Sequence, residues 1–154
     1  ILRCLVGSEM CIRDSIGIDK SKIAIKTANK NKKLLGCKNV EFFNQDIFMY
    51  NQPKVDLILC NPPYLANHEI QNLEQSIKQN EPMSALTDFK NGISFYKYLI
   101  SNFNNLIKTN GIMLLEIPFS SVTKDIISIN ENFNSNKSVL YKDLEGKNRV
   151  IKIY

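Results

Sequence analysis

Four consecutive residues, Asn61-Pro62-Pro63-Tyr64, bring together groups able to hold a flat NH₂ group. The asparagine side-chain oxygen and the carbonyl of Pro62 can accept its two hydrogens, and the Tyr64 ring can lie against its plane. The prolines fix φ and remove amide donors, which stiffens the segment and leaves nearby carbonyls as outward-facing acceptors. An amide nitrogen is a poor nucleophile because its lone pair is delocalised. Fixing it in line with an electrophilic methyl supplies orientation, and acceptors for its protons favour the positive charge that develops there. Methyl transfer to a planar amide or amine nitrogen is the chemistry this tetrapeptide suits. Asn61, Pro62 and Tyr64 are the catalytic candidates, residues Asn61, Pro62, Pro63 and Tyr64 form the substrate clamp, and no covalent nucleophile is required. The plain alternative is a rigid turn after a buried strand, with Tyr64 packed on the surface.

Two acids stand in comparable places. Asp19 ends the apolar run Ile16-Gly17-Ile18, where a carboxylate can accept both hydroxyls of a ribose, although acids there often only cap the next helix. Asp46 can accept from an adenine amino group while the backbone at Ile47 addresses the ring nitrogens; an Asx turn is the alternative.

The elements that must position these groups follow from periodicity. Ile16 to Asp19 reads as a strand, and Ser21 caps a helix running to about Leu35 that Gly36 stops. Asn39 to Phe43 is a second strand. Val55 to Cys60 is a third, nearly all apolar, as expected of a strand buried on both faces of a parallel sheet. Residues 65–91 read as a substrate-side loop. A helix from Ile93 carries Phe95, Leu99, Phe103 and Leu106 as a core stripe and ends at Asn110-Gly111. A strand over 112–117 and a helix from Val122 to Ile129 follow. Ser138 to Tyr141 and Arg149 to Tyr154, joined by a Gly146 turn, form a hairpin. The pattern predicts an α/β layered sheet, parallel with one antiparallel edge pair, whose ligand crevice lies beyond the carboxyl ends of the strands. Asp19, Asp46 and Asn61–Tyr64 all fall there.

Composition sets the frame. The 154 residues, 44% apolar and 23% charged, suit one globular domain. No apolar run is long enough to cross a membrane and the start is not a signal peptide, so the cytoplasm is the expected compartment. Cys4, Cys11, Cys37 and Cys60 form no CxxC set and His68 is the single histidine; neither metal nor disulfide is expected. The net charge of +5 comes from lysines that read as scattered rather than clustered, a solvated surface more than a nucleic-acid patch. Residues 1–15, ILRCLVGSEMCIRDS, lack periodicity and resemble translated sequencing-adapter read-through. They are expected to be non-native, leaving 16–154 as the domain.

Residues 16–154 resemble the carboxyl-terminal catalytic domain of the HemK/PrmC family of protein-(glutamine-N5) methyltransferases. The resemblance rests on Gly17-Ile18-Asp19, Asn44-Gln45-Asp46-Ile47-Phe48, Asn61-Pro62-Pro63-Tyr64, Glu81-Pro82 with Ala85-Leu86, Asn91-Gly92, Phe95-Tyr96, Leu114-Leu115-Glu116-Ile117, and Lys142-Asp143-Leu144 with Arg149-Val150. It implies a Rossmann-like, class I S-adenosylmethionine-dependent methyltransferase sheet ending in an antiparallel hairpin. It also implies S-adenosyl-L-methionine as cofactor, contacted by Asp19, Asp46, Ile47 and Asn61. The implied substrate, held by Asn61 to Tyr64, is the glutamine of the Gly-Gly-Gln loop in peptide chain release factors.

Three departures stand out. The family's first strand with its glycine-rich loop, Asp-x-Gly-x-Gly-Ser-Gly, is missing, as is its amino-terminal helical domain, and Pro118-Phe119 stands where a glycine is usual. The polypeptide as given is therefore expected to bind cofactor poorly, to be inactive alone and to expose sheet edges. The competing functions are methylation of a ribosomal-protein glutamine, methylation of an exocyclic adenine or guanine amine on a flipped base, and a non-catalytic α/β binding module.

Overall fold

The computed structural model describes residues 14–118, 122–133 and 137–154. The described residues fall into two compact units, divided between Gln52 and Pro53. Most of the segment expected to be non-native, 1–15, lies outside the described residues.

In the first unit, β1 (Ser15–Asp19) and β2 (Val40–Asn44) pair in parallel, with Asp19 opposite Asn44. Between them runs α1 (Lys22–Leu34). Its start is set by Ser21, whose hydroxyl accepts the Ala24 N–H at 3.2 Å, and its end by Gly36 at φ +66°. Five of the lysines, at 22, 26, 30, 32 and 33, sit on this helix.

The second unit is a four-stranded sheet in the order β3 (Val55–Cys60), β4 (Ile107–Glu116), β6 (Asn148–Ile153), β5 (Ser138–Lys142). β3 and β4 are parallel, whereas β6 runs antiparallel to both neighbours. The antiparallel pair stands at one end of the sheet, as expected, with β6 on its inner side and β5 at the edge. Ile151 and Ile153 of β6 are fully buried, as are Met113 and Leu115 of β4. Each such side chain contributes about 1.5–3 kcal/mol through burial.

Four expectations are corrected. First, β3 is not buried on both faces. It is a terminal strand of its sheet, and Leu57 and Leu59 are each 39% exposed. Second, residues 65–91 contain short helices, α2 (Gln75–Asn80) and α3 (Met83–Leu86), besides a 3₁₀ turn at Ile70–Asn72. Third, the helix after Ile93 is two pieces, α4 (Ser94–Ser101) and α5 (Phe103–Leu106). They meet at Asn102, whose side-chain amide and own N–H both donate to the Tyr98 carbonyl, at 2.9 and 3.0 Å. Fourth, the chain is already extended from Ile107, and Asn110-Gly111 falls in a β4 irregularity, Asn110 at φ +65°, instead of at a helix end. The helix expected from Val122 is present as α6 (Val122–Phe133), against which α4 packs.

Candidate functional site

β3 delivers the tetrapeptide directly. Asn61, the residue after Cys60, is exposed, and its side-chain amide makes no hydrogen bond among the described residues. Pro62 is fully buried, while Pro63 and Tyr64 are half-buried. The proline ring anchors the segment in the core and leaves the polar side chain before it unengaged, which is the condition for receiving an outside NH₂ group. Burial pushes the Cys60 thiol up to about 11, so it stays protonated and contributes no charge beside Asn61.

Tyr96 of α4 lies in the core near this segment. Its hydroxyl donates to the Glu116 carbonyl at 2.7 Å, tying α4 to the carboxyl end of β4. Burial raises this phenol far above its ordinary range, and Cys60, Tyr64 and Glu116 add to the effect. A phenol so placed remains a donor at every working pH.

The stretch after Tyr64 is stitched to residues 86–90. The Leu65 N–H donates to the Leu86 carbonyl at 3.0 Å, the Asn67 N–H to Lys90 at 3.0 Å, and the Asn67 side chain to Phe89 at 2.7 Å. Asp88 organises the turn that follows. One carboxylate oxygen accepts the Lys90 and Gly92 N–H groups, both at 2.9 Å, and the other accepts that of Ser94 at 3.0 Å. Burial alone would raise the Asp88 carboxyl, but the hydrogen bonds from Ser94, Gly92 and Lys90 outweigh it and hold it below the usual carboxylate range. Asp88 and Tyr96 were not singled out by the sequence as site residues. The signal available was an aspartate followed by Asn91-Gly92, the composition of a tight turn.

In the first unit, Asp19, Asp46 and Ile47 come together at the carboxyl ends of β1 and β2. Asp19 Oδ1 accepts the Ser21 N–H at 2.7 Å, holding the residue that caps α1, while the cap itself is Ser21. The Asp19 main-chain carbonyl receives the Gln45 N–H at 3.1 Å and the Asn44 side chain at 3.0 Å, locking the two strand ends together. Asp46 Oδ1 accepts the Phe48 N–H at 3.1 Å and starts the 3₁₀ turn Ile47–Met49, an Asx arrangement. Each carboxylate is exposed and has one oxygen engaged, leaving a second as an acceptor. The Ile47 N–H has no partner among the described residues. Two acceptors and one donor at adjacent strand ends fit the ribose and adenine of a nucleoside. A glycine-lined approach for a cofactor's methionine end is not found among the described residues of this unit. The site residues are thus gathered as two clusters, one in each unit.

Known proteins resemble the chain in both sequence and fold. Residues 6–152 match the family described as a methyltransferase domain. A release factor glutamine methyltransferase of Fusobacterium nucleatum is 34% identical over 148 residues, covering 95% of this chain and 42% of that protein. One of Thermodesulfovibrio yellowstonii is 36% identical over 136 residues, covering 88% and 48%. The chain therefore spans about half the length of these curated relatives or less. Among solved structures, a methyltransferase from Pyrococcus furiosus superposes with a TM-score of 0.61 at 12% identity, over 91% of this chain and 61% of that one. The fold is that of the class I S-adenosylmethionine-dependent methyltransferases, and with a family match running through both units the chain belongs to the methyltransferase-domain family.

Proposed function

We propose that the chain is the catalytic domain of an S-adenosylmethionine-dependent enzyme that methylates N5 of the glutamine in the Gly-Gly-Gln loop of peptide chain release factors. The observation that carries this is the Asn61 side chain, exposed and unengaged at the end of β3 directly before a fully buried proline. The relatives named above, which carry that activity in their names, support the choice of substrate.

S-adenosylmethionine supplies an electrophilic methyl group when bound. Asp19 would hold the ribose hydroxyls, and Asp46 with the Ile47 N–H the adenine. The Asn61 side-chain oxygen and the Pro62 carbonyl accept the two hydrogens of the glutamine amide, and Tyr64 stacks on its plane. This orients the nitrogen lone pair and favours the transition state, in which the amide protons become more acidic. Such a substrate would place the enzyme in the cytoplasm.

The test uses the gene product at its encoded length, labelled S-adenosylmethionine, a release factor and that factor with the loop Gln→Ala. Label in the unaltered factor only, lost on Asn61→Ala in the enzyme, is the expected result. Label in DNA, RNA or a ribosomal protein instead, or none from a folded enzyme, overturns the proposal.

A further inference from the structure

We propose that the turn from Thr87 to Ser94 is the backstop of the Asn61–Tyr64 clamp, a positioning device that fixes the Tyr64 backbone and hence the face on which the substrate amide stacks. The inference rests on the function proposed above.

Gly92 carries the main argument. It is buried at φ +79°, and a Cβ there would stand 2.8 Å from the Tyr64 carbonyl carbon, closer still to the carbonyl oxygen and 3.4 Å from the Ala66 nitrogen. Only a residue without a side chain lets the turn touch the Tyr64 peptide, and any side chain would push it away. The contact is held from both sides. Asp88 gathers three backbone N–H groups across the turn, Gly92 among them, which leaves Gly92 little freedom to retreat. Leu65 and Asn67, immediately beyond Tyr64, are hydrogen-bonded to Leu86 and Lys90. Within the turn, Phe89 adopts φ +59°, a conformation costly for a non-glycine residue, secured by its N–H donating to the Thr87 hydroxyl at 3.0 Å. Strain retained in this way requires that the surroundings over-determine the geometry. The turn is therefore rigid where it meets the tyrosine that must lie flat on the amide.

The test compares Gly92→Ala with Gly146→Ala in the gene product at its encoded length. Gly146 has the same φ of +79° but nothing within 4 Å, so its variant reproduces the backbone strain without displacing the clamp. Gly146→Ala should keep kcat within about twofold, whereas Gly92→Ala should lower it about a hundredfold, the scale of a misplacement near 1 Å. Binding of S-adenosylhomocysteine by calorimetry should stay within about threefold in both, since Gly92 meets the clamp at the Tyr64 carbonyl and the Ala66 nitrogen, at the far end from Asn61. Amide hydrogen exchange at Leu65 and Asn67 should accelerate in Gly92→Ala alone. Should that variant fail to fold, Asp88→Asn, which loses the Ser94 bond but keeps an acceptor for Lys90 and Gly92, should accelerate the same two amides and lower kcat about tenfold. Equal kcat in the two glycine variants, or exchange at Leu65 and Asn67 unchanged in a folded variant of the turn, would overturn the inference. A wild-type protein without glutamine methylation refutes the proposed function instead, and the exchange measurement still decides the role of the turn.

Discussion

Replacing Tyr96 by phenylalanine isolates a single hydrogen bond at the base of the site. The side chain is fully buried, and its hydroxyl meets the Glu116 carbonyl at 2.7 Å. Phenylalanine keeps the ring and its packing but leaves a carbonyl at the end of β4 without that donor. The loss of a buried bond of this kind costs about 1–2 kcal/mol, more than the bond's net worth alone, because the abandoned acceptor stays desolvated. With a urea dependence of roughly 1–3 kcal/mol per molar, the unfolding midpoint should fall by about 0.5–1 M while the slope is unchanged. Equilibrium urea unfolding, followed by far-ultraviolet circular dichroism, measures both. Tyr141→Phe is the control: that residue is 50% exposed, and its substitution should move the midpoint by less than about 0.2 M. If Tyr96→Phe and Tyr141→Phe gave the same midpoint, the tie between α4 and β4 would contribute nothing, and the reasoning that places Tyr96 as a support beneath the site would be wrong.

Two further outcomes follow from groups near the site. Because the folded-state carboxyl of Asp88 lies below its ordinary value, its contribution is present above the unfolded value near pH ~3.9 and is lost as pH falls through the folded one. Thermal midpoints measured from pH 7 to 3 should accordingly drop less steeply at the acid end in Asp88→Asn than in wild type, and parallel curves would contradict this. The Cys60 thiol, raised to about 11, should react with iodoacetamide at pH 8 roughly a hundredfold more slowly than an ordinary thiol. Peptide mass spectrometry of the native protein, with the unfolded protein as reference, reads that ratio, and equal rates would refute the burial argument.

Much of the layout was legible because the signals are local. Ser21 and Gly36 bracket α1 by capping chemistry that acts within a few residues, and the apolar run of β3 has the bounds the sequence implies, Val55–Cys60. What failed depends on distant partners. An apolar strand does not reveal how much of it will be covered, so the exposure of Leu57 and Leu59 could not be read from their neighbours. The break at Asn102 carries no glycine or proline to mark it, and its side-chain amide joins its own N–H on the Tyr98 carbonyl only once the fold is formed. Candidate residues were found where their types are rare in combination, as in Asn61 to Tyr64, and missed where an ordinary residue acts through placement. Asp88 is one aspartate among many until three N–H groups are seen converging on it. Gly92 was noticed as part of a motif, but its contact with Tyr64 joins positions 28 residues apart in the chain (92 − 64).

The interior place of β6 bears on how the second unit can be made. β5 is synthesised before β6 yet, among the described residues, pairs with no strand except β6, and β4 likewise pairs with the hairpin only through it. During vectorial synthesis, β5 has no ladder to join until residues 148–153 have left the ribosome, and Met113 and Leu115 stay partly uncovered until Ile151 and Ile153 arrive. The sheet therefore closes late and in one step, and a nascent chain stalled short of residue 148 would present a two-stranded β3–β4 ribbon with an open edge, the form most in need of a chaperone.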